Sequence, residues 1–303
     1  MGEGGVGLHT MSPEARGVKM KYAELVRAVN QIIEGYSIPL TLRQVYYRLV
    51  AGRLIANTRS NYNQLSSQLV KARESGDVDD NRFTDRSRRI DDVSFDSPEH
   101  FIDICQYTLK QRYTRRFWDS QPVYCEVWVE KDALSQVLAE AVYPFNTIVA
   151  PSRGYSSYSY LREAANRISQ HCGNSRQAII LHFADHDPSG IDMSRDLQAR
   201  LTKYCEAWRL VIVRRIALSY DQVRQYNLIP NPVKDADRRS SGYVSQYGKQ
   251  CWELDAIEPN ELITLCRMAV ETLITDKDAW LAIKEQDKSE REALIKQLEG
   301  ITV

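Results

Sequence analysis

Apolar residues return at helical spacing between Lys21 and Glu34, where Tyr22, Leu25, Val26, Val29, Ile32 and Ile33 form one stripe and Tyr36-Ser-Ile-Pro39 ends it. Thr41 is placed to cap a second helix running through Val50, and Tyr62, Leu65, Leu69 and Val70 mark a third over Asn61–Ala72. Gly76–Arg89 is polar and charged, as a loop or wing would be. Three helices followed by a wing predict a winged-helix or helix-turn-helix module. Ser97-Pro98-Glu99 opens a further helix, expected to reach Trp118, because proline suits the first helical position. After Asp119 the period changes. Strand-like runs over Pro122–Val129, Asn146–Ala150, Gln177–Ala184 and Arg209–Leu218 alternate with helical stretches over Lys131–Val142, Ser156–His171 and Gly190–Ala207. This alternation predicts an α/β fold with a mostly parallel sheet covered by helices, and ligands bind such sheets beyond the carboxyl ends of the strands. From Ser219 the chain passes through a proline-rich stretch and ends in charge-dense helical sequence over Asp276–Glu299. The expected organisation is a disordered tail (1–20), a winged-helix-like module (21–118), an α/β domain (119–220) and a partly helical C-terminal extension (221–303).

Composition narrows the class. In 303 residues, 43% apolar content can fill ordinary cores, yet no run is long enough to span a bilayer, and Leu210–Leu218 is interrupted by arginines. The first residues lack the charged start and apolar core of a secretory signal, so a cytoplasmic protein is expected, associated with the nucleoid when on DNA. The 6 cysteines are scattered without a CxxC pair, which argues for reduced thiols and against a zinc ribbon. A formal net charge of +0 means that any contact with nucleic acid must come from a local patch. Such a patch lies between Gly35 and Arg73, where no acidic residue interrupts Arg43, Arg48, Arg53, Arg59, Lys71 and Arg73. These are the candidate phosphate contacts.

The candidate chemistry sits where strands end. Mg²⁺ prefers oxygen ligands and keeps several waters, so a few carboxylates at strand ends suffice to hold it against phosphate oxygens. Asp185 and Asp187 in Phe183-Ala-Asp-His-Asp-Pro-Ser-Gly190 are separated by one residue, so in extended chain their side chains point the same way. Pro188 and Gly190 then lead into a helix whose N-terminus favours phosphate. Glu130, at the end of an earlier strand and followed by Lys131-Asp132-Ala133, adds a third carboxylate at the same sheet edge. A structural alternative pairs Glu130 with Lys131 and uses both aspartates to cap the helix. The arrangement resembles the Toprim domain of topoisomerases, primases and related nucleases, which carries a Glu after its first strand and a DxD after a later one. That resemblance implies a Rossmann-like domain in which Asp185 and Asp187 hold Mg²⁺ and Glu130 acts as metal ligand or general acid/base.

Arg43-Gln-Val-Tyr-Tyr47 resembles the R[DE]x[FY]Y motif of the DNA-cleaving subunit of topoisomerase VI and of the related meiotic recombination nuclease. The runs VEKDAL, SRGY and DHDPSGI resemble further segments of that family, over roughly Thr41 to Leu218. In the family the tyrosine-bearing winged helix precedes the Toprim domain, as the order of motifs does here. Helical geometry gives its own reading: Leu42, Val45, Tyr46 and Leu49 form one stripe that assigns Tyr46 to the core, and Tyr47 lies about 100° around from it. Arg43 stands one turn before Tyr47, where a guanidinium can stabilise a phenolate or a phosphate. Tyrosine is abundant, with 17 in the chain, so a packing role for Tyr47 is the alternative. Gln44 replaces the acid usual in the family motif. Arg153-Gly154-Tyr155 resembles the family's glycine turn after the second strand, which would bring Arg153 and the backbone close to phosphate. His186 reads as a loop residue. Glu253 and Asp255 alternate on an expected strand, with a solvated strand face as the simpler reading.

The resemblance implies Mg²⁺-dependent DNA cleavage by tyrosyl transesterification: Tyr47 as nucleophile, Arg43 assisting, Glu130, Asp185 and Asp187 holding the metal, and Lys131 and Arg153 touching DNA. It also implies a homodimer that makes double-strand breaks, with an ATPase partner subunit for any strand passage. Two alternatives remain open. One is a Toprim nuclease that hydrolyses DNA with metal-activated water, and the other is a non-catalytic DNA-binding or regulatory protein.

Overall fold

The structure is a computed structural model and describes residues 20–83, 94–173, 175–205, 211–233 and 239–299. Residues 1–19 of the expected tail and 84–89 of the expected wing lie outside them. The chain divides into two compact units, Met1–Thr84 and Asp85–Val303.

The first unit holds α1 (Tyr22–Glu34), α2 (Leu42–Ala51) and α3 (Arg59–Glu74), each in contact with the other two. Leu25, Val29 and Ile33 are the buried stripe of α1. Thr41 and Gln44 form a reciprocal capping box at the start of α2: Gln44 N–H donates to the Thr41 hydroxyl at 3.2 Å, and Thr41 N–H donates to Gln44 Oε1 at 2.8 Å. Gln44, the departure from the family motif, thus has a local structural task. The start of α3 falls at Arg59 rather than Asn61, because Thr58 accepts the Asn61 N–H as N-cap and the polar Arg59-Ser60 pair carries no apolar signal. Beyond α3 the chain turns at Asp80–Arg82, and Phe83 forms an isolated bridge with Leu40.

The second unit begins with α4 (Pro98–Arg112) and is built on four parallel strands, β1 (Val123–Val129), β2 (Ile148–Pro151), β3 (Gln177–Phe183) and β4 (Val211–Ala217). Crossover helices α5 (Ser135–Val142), α6 (Tyr158–Cys172) and α7 (Pro188–Tyr204) connect them. The spatial order is β2-β1-β3-β4, so the chain leaves β1 in one direction and returns on the other side of it to make β3. A crevice therefore opens between the carboxyl ends of β1 and β3. Those two central strands are buried along almost their whole length, which explains why they read as near-continuous apolar runs.

One exception lies in the middle of β1. Glu126 is fully buried, and its carboxylate accepts two guanidinium N–H bonds from Arg167 of α6, at 2.8 and 2.9 Å. The Tyr124 hydroxyl and the Trp128 indole N–H each donate to it at 2.8 Å. Both oxygens are thereby satisfied, which a buried charge requires.

The rest of the chain comprises α8 (Tyr220–Gln225), β5 (Asn231–Pro232), α9 (Ser240–Tyr247), β6 (Gln250–Cys251), α10 (Pro259–Glu271) and α11 (Lys277–Glu299). These elements belong to the same compact unit as the sheet. Helix α10 packs on α5, and Trp280 of α11 packs against Phe117, Trp118 and Phe145. Helix α4, grouped with the N-terminal helices in the sequence reading, packs on α11 of this unit. It ends at Arg112 rather than reaching Trp118, since the Arg115 N–H is taken by Asp287 Oδ1 of α11 at 2.6 Å and draws the chain out of helix. Among the described residues no helix is long and apolar enough to cross a membrane.

Candidate functional site

The β1–β3 ladder runs one residue past β1, with the Glu130 N–H donating to Phe183 O at 2.8 Å. This register sets Glu130 beside the residue two places beyond β3, and the Asp185 N–H donates to Glu130 Oε2 at 2.9 Å. Asp185 is buried; its Oδ1 accepts the Leu254 N–H at 2.7 Å and is ion-paired with Lys131 Nζ at 2.9 Å. Asp187 is the N-cap of α7 and accepts the Gly190 N–H at 2.6 Å. The capping alternative thus describes Asp187 correctly. Lys131 is ion-paired with Asp185, and its charge also acts on Glu130.

Two residues fix this loop from beneath. At Gly190 an added Cβ would stand 2.2 Å from Asp185 O, so only glycine lets the first turn of α7 approach the acidic loop this closely. Arg215 of β4 is mostly buried; its guanidinium donates to Ala184 O at 3.0 Å, Asp185 O at 2.5 Å and Gly190 O at 2.7 Å. Burial loosens its hold on the proton, while the charges of Glu130, Asp185 and Asp187 oppose that loss. Sequence patterning registered this residue only as an arginine interrupting an apolar run.

Burial, reinforced by the charge of Asp185, pushes the Glu130 carboxyl up to about 7. Because the folded state favours the protonated acid, the penalty is absent below the ordinary value of 4.5 and grows as pH rises toward 7. Glu130→Gln keeps an oxygen for the Asp185 N–H. It is expected to raise metal-free stability at pH 8 by about 1–3 kcal/mol and to change little at pH 4, as read by urea unfolding at both pH values. An equal gain at both would overturn this account.

Among the described residues no three His, Cys, Asp or Glu side chains are already gathered as a metal cage. Mg²⁺ needs less than that, since one or two carboxylates, waters and substrate phosphates complete its shell. Glu130 and Asp185 fit that requirement: they are hard oxygen donors forced together until one resists ionisation, and a divalent cation relieves such a pair. Asp187 shares the loop and the field, with one oxygen engaged by the helix start.

The site also contains residues that sequence reasoning set aside. Asp255 is buried in a short turn over Leu254–Ala256, not on a solvated strand face, because β6 ends at Cys251. Its Oδ2 and Glu253 Oε2 lie 2.9 and 3.1 Å from Lys131 Nζ. No spacing signal marks a pairing across 122 and 124 positions of chain. His186 lies in the loop between β3 and α7, as expected, and is buried there. It exchanges backbone hydrogen bonds with Trp252 at 2.8 and 2.9 Å, and its ring is packed by Tyr220, Tyr243, Tyr247 and Trp252. Burial pushes its imidazole down to about 4, so it is neutral at ordinary pH. Arg153 follows β2 in a left-handed turn with Gly154 and pairs with Asp132 at 2.9 Å.

In the first unit, α2 is buried on more sides than a single stripe implies. Tyr46 and Tyr47 are 4% and 5% exposed, with their rings 5.4 Å apart. Tyr46 donates its hydroxyl to Asn57 Oδ1 at 3.0 Å and Thr58 O at 3.1 Å. The sequence placed Tyr47 beside the core; it lies within it, because α2 is packed against both α1 and α3. Arg43 and Arg48 are half-buried on α2, whereas Arg53, Arg59, Lys71 and Arg73 are exposed. Arg73 is paired with Asp80 at 2.5 Å. No protein-family model matches this chain, and no curated protein or solved structure matches it either.

Proposed function

We propose that this chain cleaves DNA in a Mg²⁺-dependent reaction, as a relative of the topoisomerase VI DNA-cleaving subunit with a winged-helix-like module and a Toprim-type domain. The observation that carries the reading is the meeting of Glu130 and Asp185 at the crevice between β1 and β3, with Asp187 at the start of α7. In this reaction the phenolic oxygen of Tyr47 attacks a backbone phosphorus and the bond to the 3′ oxygen breaks. A 5′-phosphotyrosyl link and a free 3′-hydroxyl result, and the phenol proton ends on the leaving oxygen. Arg43, one turn earlier on α2, supplies positive charge for the phenolate or phosphate. A Mg²⁺ held by Glu130 and Asp185, with Asp187 beside them, would neutralise charge on the phosphate. The exposed Arg53, Arg59 and Lys71 suit contact with the DNA backbone. A homodimer would break both strands, and an ATPase partner would be needed for strand passage.

A second reading, hydrolysis by activated water with Tyr47 structural, is favoured by the burial of Tyr47, at 5% exposure. One assay separates the two. Supercoiled DNA is incubated with Mg²⁺ and wild type, Tyr47→Phe or Asp185→Ala, and the reaction is stopped with detergent. Covalent protein–DNA adducts are expected with wild type and with neither variant. Cleavage retained by Tyr47→Phe would transfer the reaction to water, and cleavage retained by Asp185→Ala would remove the acidic edge from the chemistry altogether.

A further inference from the structure

Lys131 stands next to Glu130, and its ammonium faces three carboxylates: Asp185 Oδ1 at 2.9 Å, Glu253 Oε2 at 3.1 Å and Asp255 Oδ2 at 2.9 Å. Its hydrogen bonds go to Glu253 and Asp255, and the contact with Asp185 is an ion pair. The Asp255 side chain is 0% exposed and that of Asp185 is 9% exposed, so both depend on a nearby cation in a poorly solvated place. The two outer acids are held in position by backbone. Trp252 is paired with His186, and the Leu254 N–H is fixed on the same Asp185 oxygen that Lys131 contacts. The lysine thus bridges a proposed metal ligand and a pair of acids brought from far along the chain.

Sequence reading assigned Lys131 to DNA phosphate, but in this arrangement its donors point at acids. The position matches what a divalent ion would need, since an ion bound to Asp185 and an ammonium 2.9 Å from the same oxygen repel each other. We infer that Lys131 is a tethered counter-cation that occupies Asp185 in the metal-free protein and yields it to a divalent ion, while Glu253 and Asp255 retain the displaced ammonium. Glu253 and Asp255 are then positioning residues, acting through Lys131. The inference rests on the metal reading of the acidic edge, and the experiment distinguishes failure of one from failure of the other.

Calorimetric titration of the full chain with MnCl₂ compares wild type with Lys131→Met, which keeps much of the length and loses the charge. The variant is expected to bind about tenfold more tightly, corresponding to about 1.4 kcal/mol of removed competition. Folded Lys131→Met that binds no more tightly than wild type overturns the inference and leaves the metal reading standing. Binding by the variant alone supports it, as a site closed by its own lysine. If neither protein binds, the metal reading fails and the inference fails with it. Because removing an ammonium from among three carboxylates can unfold the site, a second measurement uses wild type. The lysine ammonium resonance of Lys131, assigned with Lys131→Arg, is followed by ¹H–¹⁵N spectroscopy during addition of MgCl₂. It is expected to shift with the midpoint of metal binding, and a resonance unmoved at saturation overturns the proposal.

Discussion

Gly190→Ala is expected to dismantle the acidic edge while leaving most of the second unit folded. The added methyl would lie 2.2 Å from Asp185 O and 3.1 Å from Asp187 Oδ1, and the nearer neighbour is backbone that no rotamer change can move. Relief requires the start of α7 and the acidic loop to separate. That movement breaks the bond from Gly190 N–H to Asp187 and pulls Asp185 away from the Arg215 guanidinium. The cost is set at the upper end of overpacking, about 3 kcal/mol. The proposed divalent-ion binding and DNA cleavage should fall together, because Glu130 is held to Asp185 by the same loop's backbone. All 5 tryptophans lie in the Asp85–Val303 unit, so indole emission during urea unfolding reports that unit selectively. A variant with unchanged unfolding midpoint and undiminished Mn²⁺ affinity would show that the close approach is unimportant.

The largest loss of stability is expected at Arg167→Met. Removing the guanidinium leaves Glu126 fully buried in β1 with only the Tyr124 and Trp128 donors. An uncompensated buried carboxylate costs about 3–5 kcal/mol, or it takes up a proton and loses the geometry of its hydrogen bonds. Adding Glu126→Gln to the same background removes the charge that lost its partner. The double variant should recover part of the loss, and the non-additivity measures the coupling between the two groups. A loss below about 1 kcal/mol in the single variant would mean that the pair is solvated in solution.

The sheet was legible because β1 and β3 are covered on both faces and so carry unbroken apolar runs, and because Pro and Gly punctuate the starts of α4 and α7. The pair Glu130 and Asp185 was legible for a related reason. Each follows directly after such a run, and parallel register brings the two ends together. The surroundings of that pair were not legible. Arg215 was hidden in a strand whose pattern it spoils, and Asp255 looked like half of an alternating edge. Its burial depends on Lys131, far away in sequence. Tyr47 shows the limit of a single stripe. Periodicity finds the face with most apolar residues, whereas a short helix wedged between two others buries a second face, whose residues need only be large enough to fill it.

The bond from Leu254 N–H to Asp185 and the backbone exchange between His186 and Trp252 have a consequence for when this centre comes into being. They join segments 69 and 66 positions apart, respectively, so the acidic edge is completed only after the chain has emerged well beyond β4, the last strand of the parallel sheet. Contacts of such sequence separation are slow to form, since a long loop must close before any reward is gained. A nascent chain halted near residue 230 would possess every carboxylate of the Glu130–Asp187 trio and still lack the segment that orders them. During synthesis the acidic edge would therefore take its final form only once the chain through Leu254 is available.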